Sequence, residues 1–523
     1  FPVQTSLRKY FSKEQMKVAI SYPPIMNKHG QKAMVSQNRN VQFFQKPTYL
    51  LPVVQAQAAT WLQQLGHQVF WDDGNAQLKY YQQWRDDLVL ESPDVVVFES
   101  TTPVMKFYWK ATTELKNLLP ETIFIMTGYH SMRRPEETLQ ESPTDLVLCS
   151  NHIDFVLAKL IPFIENNHPD WRETCDIEGL MIRLEDGRTR DTGRFRQVEP
   201  LENSPLIDRD LVHWKNYAEE NGNYLQTPGT YASSVIRDCM FGKCTFCRYN
   251  GEDLTFSMLP VEQSLDEYER LVNDYGVQEI FDDSGVWYRG KEAREFAQGI
   301  IDRGLHEKGC YFGFNTRFEY LDEKTIALLA KANFRFILIG LESADDETLA
   351  RLNKGYQIQH VERCLSWMTK YGLHPHLTIM VGYYWQTQDQ LDHTVSFVKD
   401  LMFRGLARTL QVTLCTPLDF TAYHEECLRE NVLLTRNYDD HDMSKLIVQT
   451  PIPHDVYYKA VREMYSIAFH PLFILRQIRF LLSFRKRDWQ FLFIYGVRAI
   501  RRVRQHIFNL TREQGKSEGR LEP

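Results

Sequence analysis

Short runs rich in Val and Ile recur along this chain, each followed by a segment of helical periodicity, and that alternation limits the fold more than any other feature. "KVAISYPP" (17–24) reads as a strand stopped at Pro23-Pro24, and "GHQVFWDD", "DVVVFESTTP" (94–103), "TIFIMTGYH" (122–130) and "DLVLCSN" (145–151) follow it with helical segments between. Buried strands that alternate with helices require a parallel sheet with crossover helices, and such sheets take ligands at the carboxyl ends of their strands. Residues 1–165 are therefore expected to form one doubly wound, Rossmann-like α/β domain.

The pattern weakens over 166–222, which reads as a short hairpin and a Pro-containing linker lying over the surface. It resumes near Thr230 and holds for six units, whose strands are "YASSVIRD", "VQEIFDD" (277–283), "CYFGFNTR" (310–317), "FRFILIGLES" (334–343), "HPHLTIMVG" (374–382) and "TLQVTLCTP" (409–417). Six consecutive βα units over 223–430 fit either an open sheet or a partial barrel. The remaining residues, 431–523, read as helical, with arginines interleaved among Phe, Leu and Ile in "PLFILRQIRFLLSFRKRDWQFLFIYGVRAIRRVRQHI". Two readings stay open for this region: helices packed on the barrel with their arginines in water, or a basic amphipathic surface that touches a membrane or a lipid-like substrate.

At 523 residues the chain has room for two or three domains, and 43% hydrophobic with 25% charged residues is a globular composition. A net charge of −7 offers no global attraction to nucleic acid, so none is expected as a partner. The nine cysteines are mostly single, which is no disulfide framework and points to a reducing cytoplasm. The start "FPVQTSLRKYFSKEQ" shows no signal-peptide pattern, and no apolar run approaches the roughly 20 residues that span a bilayer. The expected location is cytoplasmic, with peripheral membrane contact as a further possibility.

Three of the nine cysteines, Cys239, Cys244 and Cys247, stand within nine positions in "DCMFGKCTFCRYN", on a loop after the first strand of the second series. A structural zinc site closes with four ligands, and no fourth Cys or second Cys/His pair lies nearby. Three cysteines on a cubane iron–sulfur cluster leave one iron open to chelate a small molecule through an amine and a carboxylate.

These residues resemble the radical S-adenosylmethionine (SAM) superfamily, whose cluster loop ends in C-x-x-C with an aromatic before the last cysteine, as "CTFC" does. The likeness continues through "VEQSLDEYERLVNDYGVQEIFDDSG", "FGFNTRFEYLDEKTIALLAKANFRFILIGLESADDETLARLNKG" and "HLTIMVGYYWQTQDQLDHTVSFVKDL", and covers about residues 15–430 in order. The first domain resembles the cobalamin-binding domain of one subfamily, which contains the anaerobic Mg-protoporphyrin monomethyl ester cyclase and hopanoid-modifying enzymes. In that subfamily "STTP" and "TGYH" match two loops above the sheet. Two departures stand out: the spacing is C-x4-C-x2-C where the family has C-x3-C-x2-C, and "GYYWQT" (382–387) replaces a Gly-Pro-Gly-Glu turn. Gly242 is placed to absorb the extra residue.

The resemblance implies a partial (β/α)6 barrel after the Rossmann-like domain, a [4Fe-4S] cluster on Cys239, Cys244 and Cys247, and SAM as cosubstrate. Phe246 would contact the adenine of SAM through its backbone, Glu342 and Ser343 its ribose or methionine end, and Arg317 its carboxylate, unless Arg317 serves a structural ion pair. Asp282 and Asp283 end the second strand, one of them facing the site; Asp283 is the one assigned to it. Cobalamin is expected on Ser100, Thr101, Thr102, Gly128 and His130, without a histidine beneath the cobalt, because the D-x-H-x-x-G pattern is missing around His29.

By the same resemblance, one electron from a flavodoxin- or ferredoxin-type donor would cleave SAM to a 5′-deoxyadenosyl radical, which takes a hydrogen atom from an unactivated carbon. The outcome would be methyl transfer to a small-molecule or lipid-like biosynthetic substrate, or else radical cyclisation, oxidation or rearrangement. A non-catalytic iron–sulfur or cobalamin sensor and a methylthiolating RNA modifier are the other readings. Cys415, near the end of the sixth strand, is a further candidate for the substrate side.

Overall fold

The computed structural model describes residues 15–27, 29–35, 40–44, 47–195, 200–218, 226–232, 236–250 and 256–481. Its first sheet has seven strands, β1 (Lys17–Tyr22), β4 (Gln68–Asp73), β5 (Val95–Glu99), β6 (Ile123–Thr127), β7 (Leu146–Leu148), β8 (Leu180–Arg183) and β9 (Thr189–Asp191), in the order β4-β1-β5-β6-β7-β8-β9. A separate hairpin joins β2 (Lys32–Val35) to β3 (Val41–Phe44). The strands from β4 to β7 in that order are parallel, and the hairpin β8-β9 extends the sheet antiparallel beyond β7.

Every residue of β5 and β6 is buried, as two-sided coverage by helices demands. Val18, Ile20, Val95, Val97 and Ile125 face the helices Val53–Gln64 and Ile153–Asn167, while Ala19, Val96, Phe98, Phe124 and Met126 face Tyr81–Glu91 and Met105–Leu118. The chain leaves β1 toward β4 on one side and returns to β5 on the other. That reversal opens a crevice at the carboxyl ends of β1 and β5, where "STTP" begins.

The second sheet contains β10 (Gly229–Ala232), β13 (Glu279–Asp282), β14 (Tyr311–Thr316), β15 (Phe334–Glu342), β16 (His374–Val381) and β17 (Thr409–Leu414), paired in chain order and all parallel. A two-stranded ribbon, β11 (Ile236–Arg237) with β12 (Ser257–Met258), flanks the cysteine loop. Among the described residues β10 and β17 do not pair, so the sheet curves without closing into a full barrel. Outward residues such as Ile280, Phe312, Phe314, Ile337, Ile339 and Leu377 bury against the surrounding helices. The inward Phe281 and Phe336 stack edge-on at 5.6 Å, and Tyr231 meets Phe281 at the same distance.

The segment read as a surface linker is partly interior. Leu201, Ile207, Val212, Trp214 and Tyr217 are buried, and the Tyr217 hydroxyl donates to Asp73 on β4 at 2.8 Å while accepting from Trp71 Nε1 at 3.2 Å. Arg209, 1% exposed, donates to Glu267 Oε1 at 3.0 Å, to Thr230 Oγ1 at 2.9 Å and to the Tyr231 carbonyl at 3.2 Å. The helix His454–Ser466 packs on Gln388–Arg404 and on β17, where the Tyr465 hydroxyl accepts from Val412 N at 2.9 Å. The last described helix, Pro471–Leu481, buries Phe473 and exposes Leu472, Ile474, Leu475 and Ile478. The rest of the basic, aromatic stretch, including Arg501, Arg502 and Arg504, lies outside the described residues. Among the described residues no helix is long and apolar enough to cross a membrane.

Removing one partner of a buried ion pair strands the other charge. Arg209→Ala is expected to destabilise the protein by about 3–5 kcal/mol in urea unfolding, whereas Arg188→Ala, whose pair with Asp186 is exposed and screened by solvent, should leave the urea midpoint essentially unchanged.

Candidate cofactor site

The cysteine loop sits at the carboxyl mouth of the second sheet and is tied down on every side. Cys247 N donates to the Cys244 carbonyl at 3.1 Å and Asn250 N to the Cys247 carbonyl at 3.1 Å, which closes "CTFC" into a tight turn. Thr245 N donates to the Leu352 carbonyl at 3.1 Å, Asn353 Nδ2 to Lys243 O at 3.0 Å, and Tyr423 N to Thr245 O at 2.9 Å. On the opposite side Gly285 N donates to Asp238 O at 3.1 Å; a Cβ at position 285 would lie 2.7 Å from that oxygen and 2.9 Å from Cys239 Cβ. Gly242 adopts φ 54°, so the residue inserted between Cys239 and Cys244 is accommodated in a left-handed turn that glycine takes without strain.

All three thiols are half-buried and close enough for their charges to interact. Burial pushes the Cys247 thiol up, with Cys244 and Cys239 adding to it, and burial likewise raises Cys239. Cationic groups stand against the loop. Arg317 Nη1 lies 3.8 Å from Cys244 Sγ, its guanidinium stacks 3.5 Å over the Phe241 ring, and Lys354 Nζ is 5.9 Å from the centre of the Phe246 ring. A three-thiol donor set flanked by fixed positive charge fits an iron–sulfur cluster, whose net charge on thiolate ligands is negative.

Glu342 ends β15 at φ 59°, beside a register shift at Gly340/Glu342, and its Oε1 takes a 3.1 Å ion pair from the buried Lys354. Burial pushes the Lys354 ammonium down, but the adjacent carboxylate outweighs it and holds the group above the ordinary lysine range. Ser343 turns away from the mouth: its hydroxyl accepts from Asp345 N at 3.2 Å and lies 3.5 Å from Thr394 Oγ1. Arg317 donates to Glu319 Oε1 at 2.6 Å and to the Lys354 carbonyl, which commits it to the structural pair as well as to Cys244. Phe246 packs its ring among Tyr383, Cys415 and Tyr423. In "GYYWQT", Tyr383 and Trp385 stack at 5.2 Å, and Arg351 caps Trp385 at 3.8 Å, so this turn fills the mouth's outer wall with aromatic rings. Cys415 is enclosed by the same group.

The two carboxylates ending β13 separate. Asp283 accepts from Asn315 Nδ2 at 2.8 Å, an inward residue of β14, whereas Asp282 is fully buried and accepts from Ser284 N at 3.0 Å and from Ser284 Oγ.

The loops carrying "STTP" and "TGYH" interlock above the first sheet. Ser100 Oγ lies 2.9 Å from Ser131 Oγ, and Thr102 Oγ1 lies 3.3 Å from His130 Nδ1. A Cβ at Gly128 would fall 2.2 Å from the Ser100 carbonyl, so the two backbones touch. Burial pushes the His130 imidazole down to about 3, leaving it neutral near pH 7, and its Nε2 is buried with no hydrogen-bond partner. That unmatched nitrogen, flanked by the Trp109 and Tyr438 rings and 3.7 Å from Glu137 Oε2, fits a polar bound group such as the periphery of a corrin. Arg248, directly after Cys247, donates to Thr101 Oγ1 at 2.6 Å and lies 4.8 Å from the Tyr129 ring centre, which joins these loops to the cysteine loop. Arg248 and Lys354 escaped the sequence reading, although each adjoins a quoted motif, "CTFC" and "RLNKG".

The sequence model of the Radical SAM superfamily matches residues 233–398. It is 24% identical over 355 residues to an uncharacterised methyltransferase of Pyrococcus horikoshii, covering 66% of this chain and 72% of that one. It is also 24% identical over 322 residues to the anaerobic magnesium-protoporphyrin IX monomethyl ester cyclase of Rubrivivax gelatinosus, covering 61% of this chain and 56% of the cyclase. Among solved structures, the radical SAM methyltransferase TsrM of Kitasatospora setae, with cobalamin and a [4Fe-4S] cluster bound, aligns with a TM-score of 0.63 at 13% identity over 87% of this chain and 91% of that one. The cobalamin-dependent SAM radical enzyme OxsB aligns at 0.66 and 15% identity over 96% of this chain and 75% of that one. The two-sheet fold is therefore shared with these two solved structures.

Burial raises the carboxyl of Asp282 to about 7 in the folded state against 3.8 for a free side chain. Folding thus carries no penalty from this group below about pH 4, a growing one as pH rises toward 7, and the full one above it. Asp282→Asn should gain stability relative to the native chain by up to about 2–3 kcal/mol between pH 5 and pH 8, read from urea midpoints at the two pH values.

Proposed function

We propose that this chain is a cobalamin-dependent radical SAM enzyme that methylates an unactivated carbon of a small biosynthetic molecule. The observation that carries the proposal is the convergence, at one mouth, of three loop-held thiols, the Glu342–Lys354 pair and the Ser100–Thr102 and Gly128–His130 loops. When bound, a reduced [4Fe-4S] cluster supplies one electron to SAM, whose cleavage gives methionine and the 5′-deoxyadenosyl radical, and cobalamin supplies the methyl group.

The chain's own residues bind, orient and shield. Cys239, Cys244 and Cys247 would hold the cluster, with Arg317 and Lys354 compensating its charge. Glu342 is fixed by Lys354 with a second oxygen left to accept from the ribose hydroxyls or the ammonium of SAM. The backbone of Phe246 would meet the adenine, and Asp283 and Ser343 complete the set toward SAM, Ser343 by fixing the Glu342–Asp345 turn. Ser100, Thr101, Thr102, Gly128 and His130 would take the corrin. Tyr383, Trp385 and Tyr423 wall the mouth and exclude water from a radical. The electron would come from an external flavodoxin- or ferredoxin-type donor.

Radical cyclisation or oxidation without methyl transfer is the second reading, favoured by the similarity to the Rubrivivax gelatinosus cyclase. The two are separated by anaerobic reconstitution with iron and sulfide, with and without hydroxocobalamin, followed by assay of 5′-deoxyadenosine after dithionite and SAM. The proposal expects cluster absorption, retained corrin, and 5′-deoxyadenosine formation that Cys244→Ala abolishes. SAM cleavage without retained corrin would favour cyclisation or oxidation, and absence of any cluster would leave a structural or sensory role.

A further inference from the structure

The seam between the two sheets holds buried polar groups that the roles above do not use. Asp419 follows β17, His424 lies on the helix Ala422–Arg429, and His441 closes the turn Tyr438–Asp440; they are 3%, 6% and 2% exposed. His424 Nε2 stands 3.2 Å from Asp419 Oδ1, which leaves Asp419 Oδ2 with no hydrogen-bond partner. Neither ring nitrogen of His441 has one, although its ring lies 6.4 Å from that of His424. The group packs against the "TGYH" loop. Tyr438 meets the His130 ring at 4.8 Å, and the unmatched Nε2 of His130 has only Glu137 Oε2 nearby, at 3.7 Å. Tyr129 packs on Phe420 at 6.1 Å, beside Asp419.

Polar atoms buried without partners are rare in folded chains and call for an occupant. Here they come from three distant stretches of sequence and face one another across the seam. Their chemistry restricts that occupant. A carboxylate oxygen such as Asp419 Oδ2 accepts, while the His441 imidazole, whose charged form burial disfavours, both donates and accepts. A phosphate or carboxylate could draw on Arg134 and Arg248, which act on His130 and His441, but would meet the unpartnered Asp419 Oδ2, and a bare cation would leave the imidazole N–H groups unmatched. A primary carboxamide satisfies both sides: its NH2 donates to Asp419 Oδ2 or an imidazole nitrogen, and its oxygen accepts from a ring N–H.

We propose that Asp419 and His441, with His424 as the positioning residue that orients Asp419, recognise carboxamide side chains at the rim of a corrin held on the His130 loop. This rests on the cobalamin reading above and extends the corrin contacts from the first domain to the segment after the sixth barrel strand.

The test is equilibrium binding of hydroxocobalamin and of dicyanocobinamide, which keeps the rim carboxamides but lacks the nucleotide tail, to the full reconstituted chain. Binding to His441→Leu, His441→Gln and Asp419→Leu is compared with the native chain, with iron content and thermal midpoint as folding controls and the exposed Glu430→Gln as a neighbour control. The proposal expects His441→Leu and Asp419→Leu to weaken both corrinoids by about tenfold or more, each lost hydrogen bond in a buried site being worth roughly that factor, with His441→Gln retaining more than His441→Leu and Glu430→Gln unchanged. Affinities within twofold of native for folded variants would mean that the buried atoms hold water alone, and the inference would fall. Loss for hydroxocobalamin but not for dicyanocobinamide would place the contact at the nucleotide tail and overturn it as well. Failure of the native chain to bind either corrinoid would overturn the cobalamin reading, and this inference with it.

Discussion

The chemistry open to this protein depends on how closely the loop of three cysteines is pinned to the mouth of the partial barrel. A loop with an extra residue between its first two ligands has more conformations to lose, and entropy alone would scatter the thiols. The contacts that prevent this come from several directions: the Leu352–Lys354 turn beneath Thr245 and Lys243, the first turn of the helix at Tyr423, and Gly285 pressed against Asp238 and Cys239. The left-handed turn at Gly242 takes up the additional residue without moving the final "CTFC" turn away from these anchors.

Charge is organised around that loop with equal economy. Lys354 and Glu342 are both nearly buried, and an ion pair in such a place repays its desolvation only when each partner's other capacity finds use. A cluster with thiolate ligands on one side and the ammonium and hydroxyls of SAM on the other would use both. Arg317 is the counterpart: its contacts to Glu319, the Lys354 carbonyl and Cys244 fix a positive charge beside the Cys244 sulfur. Arg248 extends the network to Thr101, so the cofactor loops of the two sheets are mechanically joined.

Local pattern made most of the fold legible, because β-branched runs and helical periodicity report burial within one element. Five of the six barrel strands and the five parallel strands of the first sheet fall where those runs lie, and the short hairpin at 180–191 was visible through its turn residues; the first barrel strand, read as "YASSVIRD", is instead Gly229–Ala232, and Ile236–Arg237 pairs with Ser257–Met258 in the separate ribbon. Burial that depends on distant partners had no such signature. Tyr217 and Arg209 look like ordinary members of a polar connector, and only Asp73 and Glu267, far away in sequence, explain why they are interior. The same holds at the site. The cysteines announce themselves by spacing, whereas the outward turn of Asp282, the packing of Ser343 toward Thr394 and the meeting of His441 with His424 follow from tertiary register alone.

The central claim, that the three thiols hold a cluster with one iron open to SAM, is tested most directly by electron paramagnetic resonance of the anaerobically reconstituted, dithionite-reduced protein. The account predicts the signal of a reduced [4Fe-4S] cluster whose shape changes when SAM is added, and no such signal from Cys239→Ala or Cys247→Ala. A reduced cluster whose spectrum is indifferent to SAM, or a protein that takes up no cluster although correctly folded, would contradict it.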